Sequence, residues 1–453
     1  MKELVMLAWQ GLKQKPKLSA LMVINLAVGI TLMLTMSAIV KQSSSEVIGY
    51  KGDSLYTAGL NYFDVDEDVN DFRQFPRWTY QDAQALQQAN LPYEYVSFNY
   101  TTEFIVGLAD NSVRPISVEA SGTDSGMFNV LDVPFIYGTA WNAQSEKSGE
   151  AIAVISKHAN DHLFGGVDSV GQFIQVQGEQ IRVAGVVDLT RYKRRFQDLS
   201  FSNNYNHDVF IPLNYAYAQN FPRTGQVTCR TDDLYTTISP RSGSIDMLKS
   251  AECGYLTVWF QYHNDIELAQ LAELKAWLNN YIKQQQALGR FQHKNLTDFY
   301  SMGELYILIQ RFMAWEAIYL TFSYLLFGIC LVNTVGILLA KFQANRKLIS
   351  LYRALGANQS VIMIIHFLEI LMLTLAAVVL GFILAFAGLE LMFHLRMYQT
   401  DYMAIAEQVR QIYQFDSELA LVTTLGIFLA VGLSGLYPVY RSSRVSPASE
   451  LRG

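Results

Sequence analysis

The chain has 453 residues, 51% of them hydrophobic and only 16% charged, with a formal net charge of −6 and a mean hydropathy of +0.15. A soluble domain carries about 25% charged residues, so the composition leans toward a membrane protein of roughly two or three domains, and there is no basic excess to suit nucleic acid. Three cysteines without metal-site spacing exclude a disulfide scaffold, and the lack of repeats or low-complexity runs excludes solenoids and disorder.

Residues 1–17 read as a short amphipathic segment, with Leu4–Leu12 followed by Lys13, Lys15 and Lys17. Leu18–Val40 is an uncharged run of 23 residues, about 34 Å as a helix and enough to cross a bilayer core. It is longer than a signal-peptide core and runs into Lys41-Gln42-Ser43 without a cleavage signature, so it is expected to be a retained anchor.

Residues 41–310 read as an ordinary α+β domain. Thr79 with Asp82 forms a capping box that starts a helix over Tyr80–Gln88. Glu103–Leu108 and Val113–Ala120 read as strands around the Asp110-Asn111-Ser112 turn. Ala151–Ile155 is a buried-type strand, followed by a helix capped at Ser156 and stopped by Gly165-Gly166. Gln172–Gln177 and Gln180–Val187 flank Gly178-Glu179 as a hairpin. Residues 189–250 are poorly patterned. Tyr255–Tyr262 reads as a strand, and Ile266–Gln286 as an amphipathic helix with Leu271, Leu274, Leu278 and Tyr281 or Ile282 on one face. Two subdomains are expected, 50–120 with 250–300, and 121–230 inserted between them. Cys229 and Cys253 lie in this domain. In an oxidising compartment they would close a loop worth about 3 kcal/mol; the alternative is two unpaired, partly buried thiols.

Three further spans follow: 318–340, 361–389 and 419–439, with a short loop at 390–418 and a tail at 440–453. His366 and Glu369 stand near the start of the third, where an interfacial position is expected to spare them the membrane centre. Glu316 and Glu390 are placed at outer span ends. With no acid at a span centre, a proton-relay carrier is disfavoured. Lys2, Lys13, Lys15, Lys17, Lys341, Arg346, Lys347, Arg353, Arg441, Arg444 and Arg452 face only Glu3 and Glu450 in the short segments, whereas residues 42–310 hold 19 basic and 31 acidic residues. The positive-inside rule therefore places both termini in the cytoplasm and the large domain outside it.

The sequence contains no GxxxxGK[ST], GxSxG, HExxH or CxxC. His158 and His162, spaced i,i+4 beside Asp161, offer two metal ligands at most, and a solvated helix face is the favoured reading. Arg191, Lys193, Arg194 and Arg195 form a basic cluster, read first as a solvated loop and second as a contact for lipid headgroups. The segment 341–358 is basic and helix-compatible, with Leu348, Leu351, Tyr352 and Leu355 on one face and Gly356 placed as a C-cap. Such a helix either lies on the membrane surface or docks into a partner.

Here the residues resemble a family. Arg346-Lys347-Leu348-Ile349-Ser350-Leu351-Tyr352-Arg353-Ala354-Leu355-Gly356-Ala357, followed by Glu369, is similar to the coupling segment of MacB/FtsX-type ABC-transporter permeases, departing from it at Leu348 and Ser350. Tyr437–Arg441 and Pro447–Arg452 resemble the family's terminus. Ser121–Gly138, Ala151–Gly165 and Val170–Asp188 resemble its extracytoplasmic core domain.

The resemblance implies four membrane helices with a large α+β extracytoplasmic domain of two subdomains between helices 1 and 2. It implies a bacterial inner-membrane permease without catalytic residues or a metal, binding no cofactor itself, since ATP and Mg would belong to a separate ABC ATPase subunit. Arg346, Lys347, Leu351, Arg353, Leu355 and Gly356 are its expected ATPase contacts, and helices from about Tyr281 and Leu305 into span two would supply a stalk. Further partners implied are membrane lipids, a second permease protomer (in a homo- or heterodimer), a periplasmic adaptor and an outer-membrane channel. Export of a peptide or small molecule leads. Lipoprotein release, FtsX-like signalling to a periplasmic partner, and an anchored receptor without ATPase are the alternatives.

Overall fold

The computed structural model describes residues 2–49, 54–60, 77–89, 91–189, 199, 207–221, 223–224, 227–231, 234–238, 249, 252–262, 268–290, 297–305, 315–399, 410, 413–414 and 417–444. The chain divides into a helical unit (Met1–Ser43, Ala314–Met403, Val409–Gly453) and an α+β unit (Ser44–Met313 with Ala404–Gln408). The helical unit opens with α1 (Lys2–Gln14) and α2 (Pro16–Gly49). The α+β unit holds β1 (Leu55–Leu60), α3 (Tyr80–Gln88), β2 (Tyr95–Gly107), β3 (Ile116–Thr123), α4 (Gly126–Leu131), β4 (Phe135–Gly138), α5 (Ala143–Ser148), β5 (Ile152–Ser156), α6 (Lys157–Phe164), β6 (Phe173–Val176) and β7 (Glu179–Val187). It continues through β8 (Val209–Pro212), α7 (Leu213–Ala218), β9 (Val227–Thr231), β10 (Leu234–Ile238), β11 (Cys253–Gly254), β12 (Thr257–Gln261), α8 (Leu268–Ala287) and β13 (Thr297–Ser301). The helical unit resumes with α9 (Trp315–Ala344), α10 (Arg346–Ala354), α11 (Gln359–Gln399) and α12 (Ser417–Ser443).

Ten strands of the α+β unit pair in the order β13-β1-β12-β2-β3-β8-β5-β7-β4, and β6 pairs with both β2 and β7. The strands β2, β3, β8, β5, β7 and β6 therefore close on themselves, which leaves none of the six with two free edges. The segments expected as two subdomains meet in this ring, since β2 and β3 come from one and β5 to β8 from the other. β2 is the common strand. Its first half pairs with β12 (Thr257↔Asn99 to Gln261↔Tyr95), and its end pairs with β6 (Val106↔Val176).

The sheet is buried on both faces. On β12, Val258 and Phe260 join one core with Trp78, Phe98 and Tyr100, while Trp259 joins the other with Phe128 and Phe210. β2 is longer than the expected Glu103–Leu108: from Ser97 to Thr102 every residue is buried, including the polar Ser97, Asn99 and Thr101 that alternate with Phe98 and Tyr100. Burial on both faces explains β8, missed in the poorly patterned 189–250 segment along with α7, β9 and β10: all four of its residues are buried. Local signals fared better. Thr79 accepts from the Asp82 amide at 3.2 Å, the Ser156 side chain caps α6 and Gly165 ends it, and the expected β6–β7 hairpin forms, turning through Gln177 and Gly178 at positive φ, one residue before the expected Gly178-Glu179. Cys229 and Cys253 stand opposite each other on β9 and β11 and are disulfide-bonded.

Asp82 is fully buried and tied to distant chain: Tyr281 donates to it at 2.5 Å and Arg290 at 3.0 Å. Asp124 is a different case. Its Oδ2 accepts the Phe98 amide at 2.6 Å, yet burial first, and then the charge of Glu146, push its carboxyl up to about 8. The folded state thus holds a proton that the unfolded chain releases near pH 4. The stabilisation is complete at low pH and is lost as pH rises from about 4 to about 8, by up to about 1.4 kcal/mol per pH unit. Calorimetry of the full chain should show the α+β transition falling between pH 5.5 and 8.5, and Asp124→Asn should flatten that dependence. A wild-type transition that does not move over this range would contradict the assignment.

Among the described residues of the helical unit, four helices are long and apolar enough to cross a membrane: Pro16–Lys41, Ile318–Ala344, Gln359–Leu395 and Ser417–Ser443. They enclose a core of Leu26, Ile30, Phe327, Leu338, Leu373 and Ile427, among others, and turn Phe322, Leu325, Val332, Phe386, Leu425 and Leu429 outward. Polar links tie α2 to its neighbours. Asn25 donates to Cys330 O at 2.8 Å and to Thr334 Oγ1 at 3.2 Å, and Thr31 donates to Gly381 O at 3.3 Å. α2 runs on past Lys41 to Gly49 as one helix. The expected helix from Tyr281 into span two does not form. α8 ends at Ala287, Gly289 turns at positive φ, and β13 intervenes before α9; residues 306–314 lie outside the described residues.

Candidate functional site

The segment joining α9 to α11 is built by two local breaks. Asn345 ends α9 and accepts the amides of Leu348 and Ile349, both at 3.1 Å. At the other end, the Gly356 amide reaches Arg353 O at 3.1 Å and the Ala357 amide reaches Tyr352 O at 3.0 Å, with Gly356 at φ +97°. That pair of bonds is a Schellman motif, and a side chain at Gly356 would strain it. The resulting helix, α10, is nine residues long.

Of the residues expected on one apolar face, Leu351 and Leu355 are exposed and Leu348 and Tyr352 half-buried. Ile349 and Ser350 form the buried side, with Arg346 and Arg353 half-buried beside them. Lys347, Leu351 and Leu355, spaced i, i+4 and i+8, form one outward stripe in which Leu351 is 47% and Leu355 76% exposed. The reason lies in the neighbours: Arg353 donates to Ser443 O at 3.4 Å, and Gln359 donates to Ser443 Oγ at 3.1 Å, so the end of α12 takes the other face. Of the six expected contact residues, Lys347, Leu351, Leu355 and Gly356 are exposed; the two arginines face the bundle.

His366 and Glu369, near the start of α11, belong to a cluster buried within the bundle. Glu369 of α11 is ion-paired with Lys341 of α9, and their side chains are 2% and 1% exposed. His366 Nδ1 donates to Glu369 at 3.3 Å, and its ring packs 4.0 Å from that of Phe342. Lys341 also donates to Ser19 Oγ at 2.8 Å, and Ser19 donates to Leu12 O at 3.2 Å. A partner on another helix neutralises the charge on Glu369, and His366 and Glu369 at i,i+3 share one inward face.

The remaining candidates separate. His158 Nδ1 donates to Asp208 at 3.0 Å, whereas His162 Nε2 donates to Arg114 O at 2.9 Å. Burial opposes charge on His158, but the Asp208 hydrogen bond and charge outweigh it and raise its pKa. Among the described residues no group of three or more His, Cys, Asp or Glu is arranged to hold a metal. Glu390 pairs with Arg410 at 2.8 Å. The side chain of Glu316 and the cluster Arg191, Lys193, Arg194 and Arg195 lie outside the described residues. A cleft of about 410 Å³ between α3, α5 and α7 is lined by Tyr80, Gln84, Gln87, Phe98, Lys147 and Asn214, among others.

Two families match the chain. The one described as MacB-like periplasmic core domain covers residues 19–248, and the one described as FtsX-like permease C-terminal covers residues 320–447. Among solved structures, the periplasmic region of MacB from Actinobacillus actinomycetemcomitans is similar at 12% identity, covering 59% of this chain and 98% of that one, with a TM-score of 0.35. The extracellular domain of the noncanonic ABC-type transporter YknZ from Gram-positive bacteria is similar at 12% identity, covering 54% and 99%, with a TM-score of 0.34. No curated protein matches in sequence.

Proposed function

Since the chain belongs to the MacB/FtsX-like family of ABC-transporter permeases, we propose that it couples ATP hydrolysis by a separate ATPase to movement of its α+β domain, for export of a peptide or small molecule across the envelope. The observation that carries this reading is α10, which presents Lys347, Leu351 and Leu355 outward while both its ends are tied to long apolar helices. With both ends fixed, α10 offers Leu351 and Leu355 on a braced mount, a form that a partner groove can grip. ATP and Mg would be bound in that partner. Motion of α10 would pass to α9 and α11, and α2, continuous to Gly49, is the element suited to carry it outward.

The charge asymmetry supports a bacterial inner-membrane location, with α1, α10 and both termini cytoplasmic and the α+β domain periplasmic. A paired assembly is supported by the outward face of α9. There Thr321, Tyr324, Gly328 and Asn333 border a groove of about 700 Å³, and an exposed asparagine inside an apolar span calls for a protein neighbour.

Burying Leu351 and Leu355 in a partner would contribute about 2–3 kcal/mol together, allowing for the area already covered, or roughly 30- to 150-fold in affinity. Purified in mild detergent, the tagged chain should bring down a P-loop ATPase. Leu351→Asp with Leu355→Asp should lose that ATPase while inserting normally. Purification of the wild-type chain without any ATPase would end this reading.

A further inference from the structure

Lys341 lies one turn before Asn345, the single residue that separates α9 from α10. Any displacement of α10 therefore reaches Lys341 within five residues. There it meets Glu369, and through that pair it meets α11. The same ammonium binds Ser19 of α2, whose hydroxyl holds Leu12 O near the end of α1. α1 also closes over the carboxylate: a Cβ on Gly11 would stand 3.3 Å from Glu369 Oε1, so its approach depends on the missing side chain. One ion pair thus joins four helices at the point where α10 enters the bundle.

Apolar residues of the same size would fill this space without the desolvation cost of two buried charges. They would not, however, define a register. Apolar helix faces can shift past one another at small cost, whereas a buried ammonium and carboxylate are compensated only when opposed. At the far end of α10, Arg353 and the following Gln359 donate to Ser443 and are themselves half-buried, whereas the side chains of Lys341 and Glu369 are 1% and 2% exposed.

We propose that Lys341, Glu369, His366 and Ser19 are positioning residues that pin α1 and the entry of α10 to α11 in a single register, so that movement of α10 is delivered to the spanning helices instead of being absorbed by slippage. This inference rests on the reading of α10 as the ATPase contact. Its test uses the full-length chain in lipid nanodiscs, carrying Lys341→Met together with Glu369→Gln. These neutral near-isosteres leave no charge unpaired, so the variant is expected to fold.

Hydrogen–deuterium exchange should show the amides of α1 and α10 exchanging at least tenfold faster than in the wild type, with α12 unchanged. Lys341→Arg, which keeps the charge, should retain wild-type protection. With the co-purifying ATPase, the double variant should still bind, because Leu351 and Leu355 are untouched, but stimulation of hydrolysis should fall at least fivefold. Unchanged protection of α1 and α10 would overturn the pin, and loosened helices with full stimulation would overturn its role in transmission. If the wild-type chain binds no ATPase, the reading of α10 fails, while the exchange data still decide whether the pin exists.

Discussion

Lys341→Met alone should lower the stability of the helical unit by about 3–5 kcal/mol, the cost of leaving one member of a buried ion pair without the other. The single change strands Glu369 among Phe342, His366 and the backbone of α1, where it is 2% exposed and water cannot replace the lost ammonium. It also removes the donor to Ser19 Oγ. For a unit of this size the loss corresponds to a fall of roughly 10 °C in melting temperature. Adding Glu369→Gln should recover most of it, because the second change removes the stranded charge and not a further favourable contact. The two substitutions are therefore expected to be strongly non-additive, by at least about 2 kcal/mol. Thermal unfolding of the four proteins in one detergent measures this cycle; additive effects, or a single variant as stable as the wild type, would show that the pair is solvated in the membrane-embedded protein.

The second large effect is expected in the α+β unit. Trp78 is fully buried, and it joins chain segments with its backbone as well as its ring. Its amide donates to Leu256 O at 2.8 Å, its carbonyl accepts from Tyr255 and Leu256 at 3.0 Å, and its indole Nε1 donates to Ala58 O at 2.6 Å. Trp78→Ala should cost about 3–5 kcal/mol through the cavity it opens. Trp78→Phe keeps most of the volume but leaves Ala58 O without that donor, a loss of about 1–3 kcal/mol. Because the α+β unit is a compact unit of its own, the readout should be local. Limited proteolysis of the full chain should cleave the α+β unit much faster in Trp78→Ala and detectably faster in Trp78→Phe. Wild-type resistance in the alanine variant would mean that Trp78 does not bridge β1 and β12 in solution.

Much of the plan was visible before any coordinates, and the visible parts share a property. The capping box at Thr79, the Ser156 cap, the hairpin at Gly178 and the Gly356 C-cap each depend on residues within a few positions of one another. The four spans depend only on length and the absence of charge. At the candidate site, a short helix ending at Gly356 was legible in the sequence, but not which face is turned outward, because α10 has apolar residues on both sides: Ile349 inward, Leu351 and Leu355 outward.

What sequence by itself determined is therefore the local and additive part of this protein: four membrane helices, an α+β domain between the first and second, a short capped helix between the second and third, and family membership. Tertiary structure alone decided the pairings across long separations. β6, four residues long, closes the strand ring by reaching both β2 and β7. Arg290 finds Asp82 across 208 positions. Lys341 finds Glu369 on another helix, and the two charges form a junction buried within the bundle. Periodicity reports which way a residue points relative to its own helix or strand, and burial on both sides erases even that signal. Which partner waits on the other side is set by packing and desolvation, and those act only once the chain has folded.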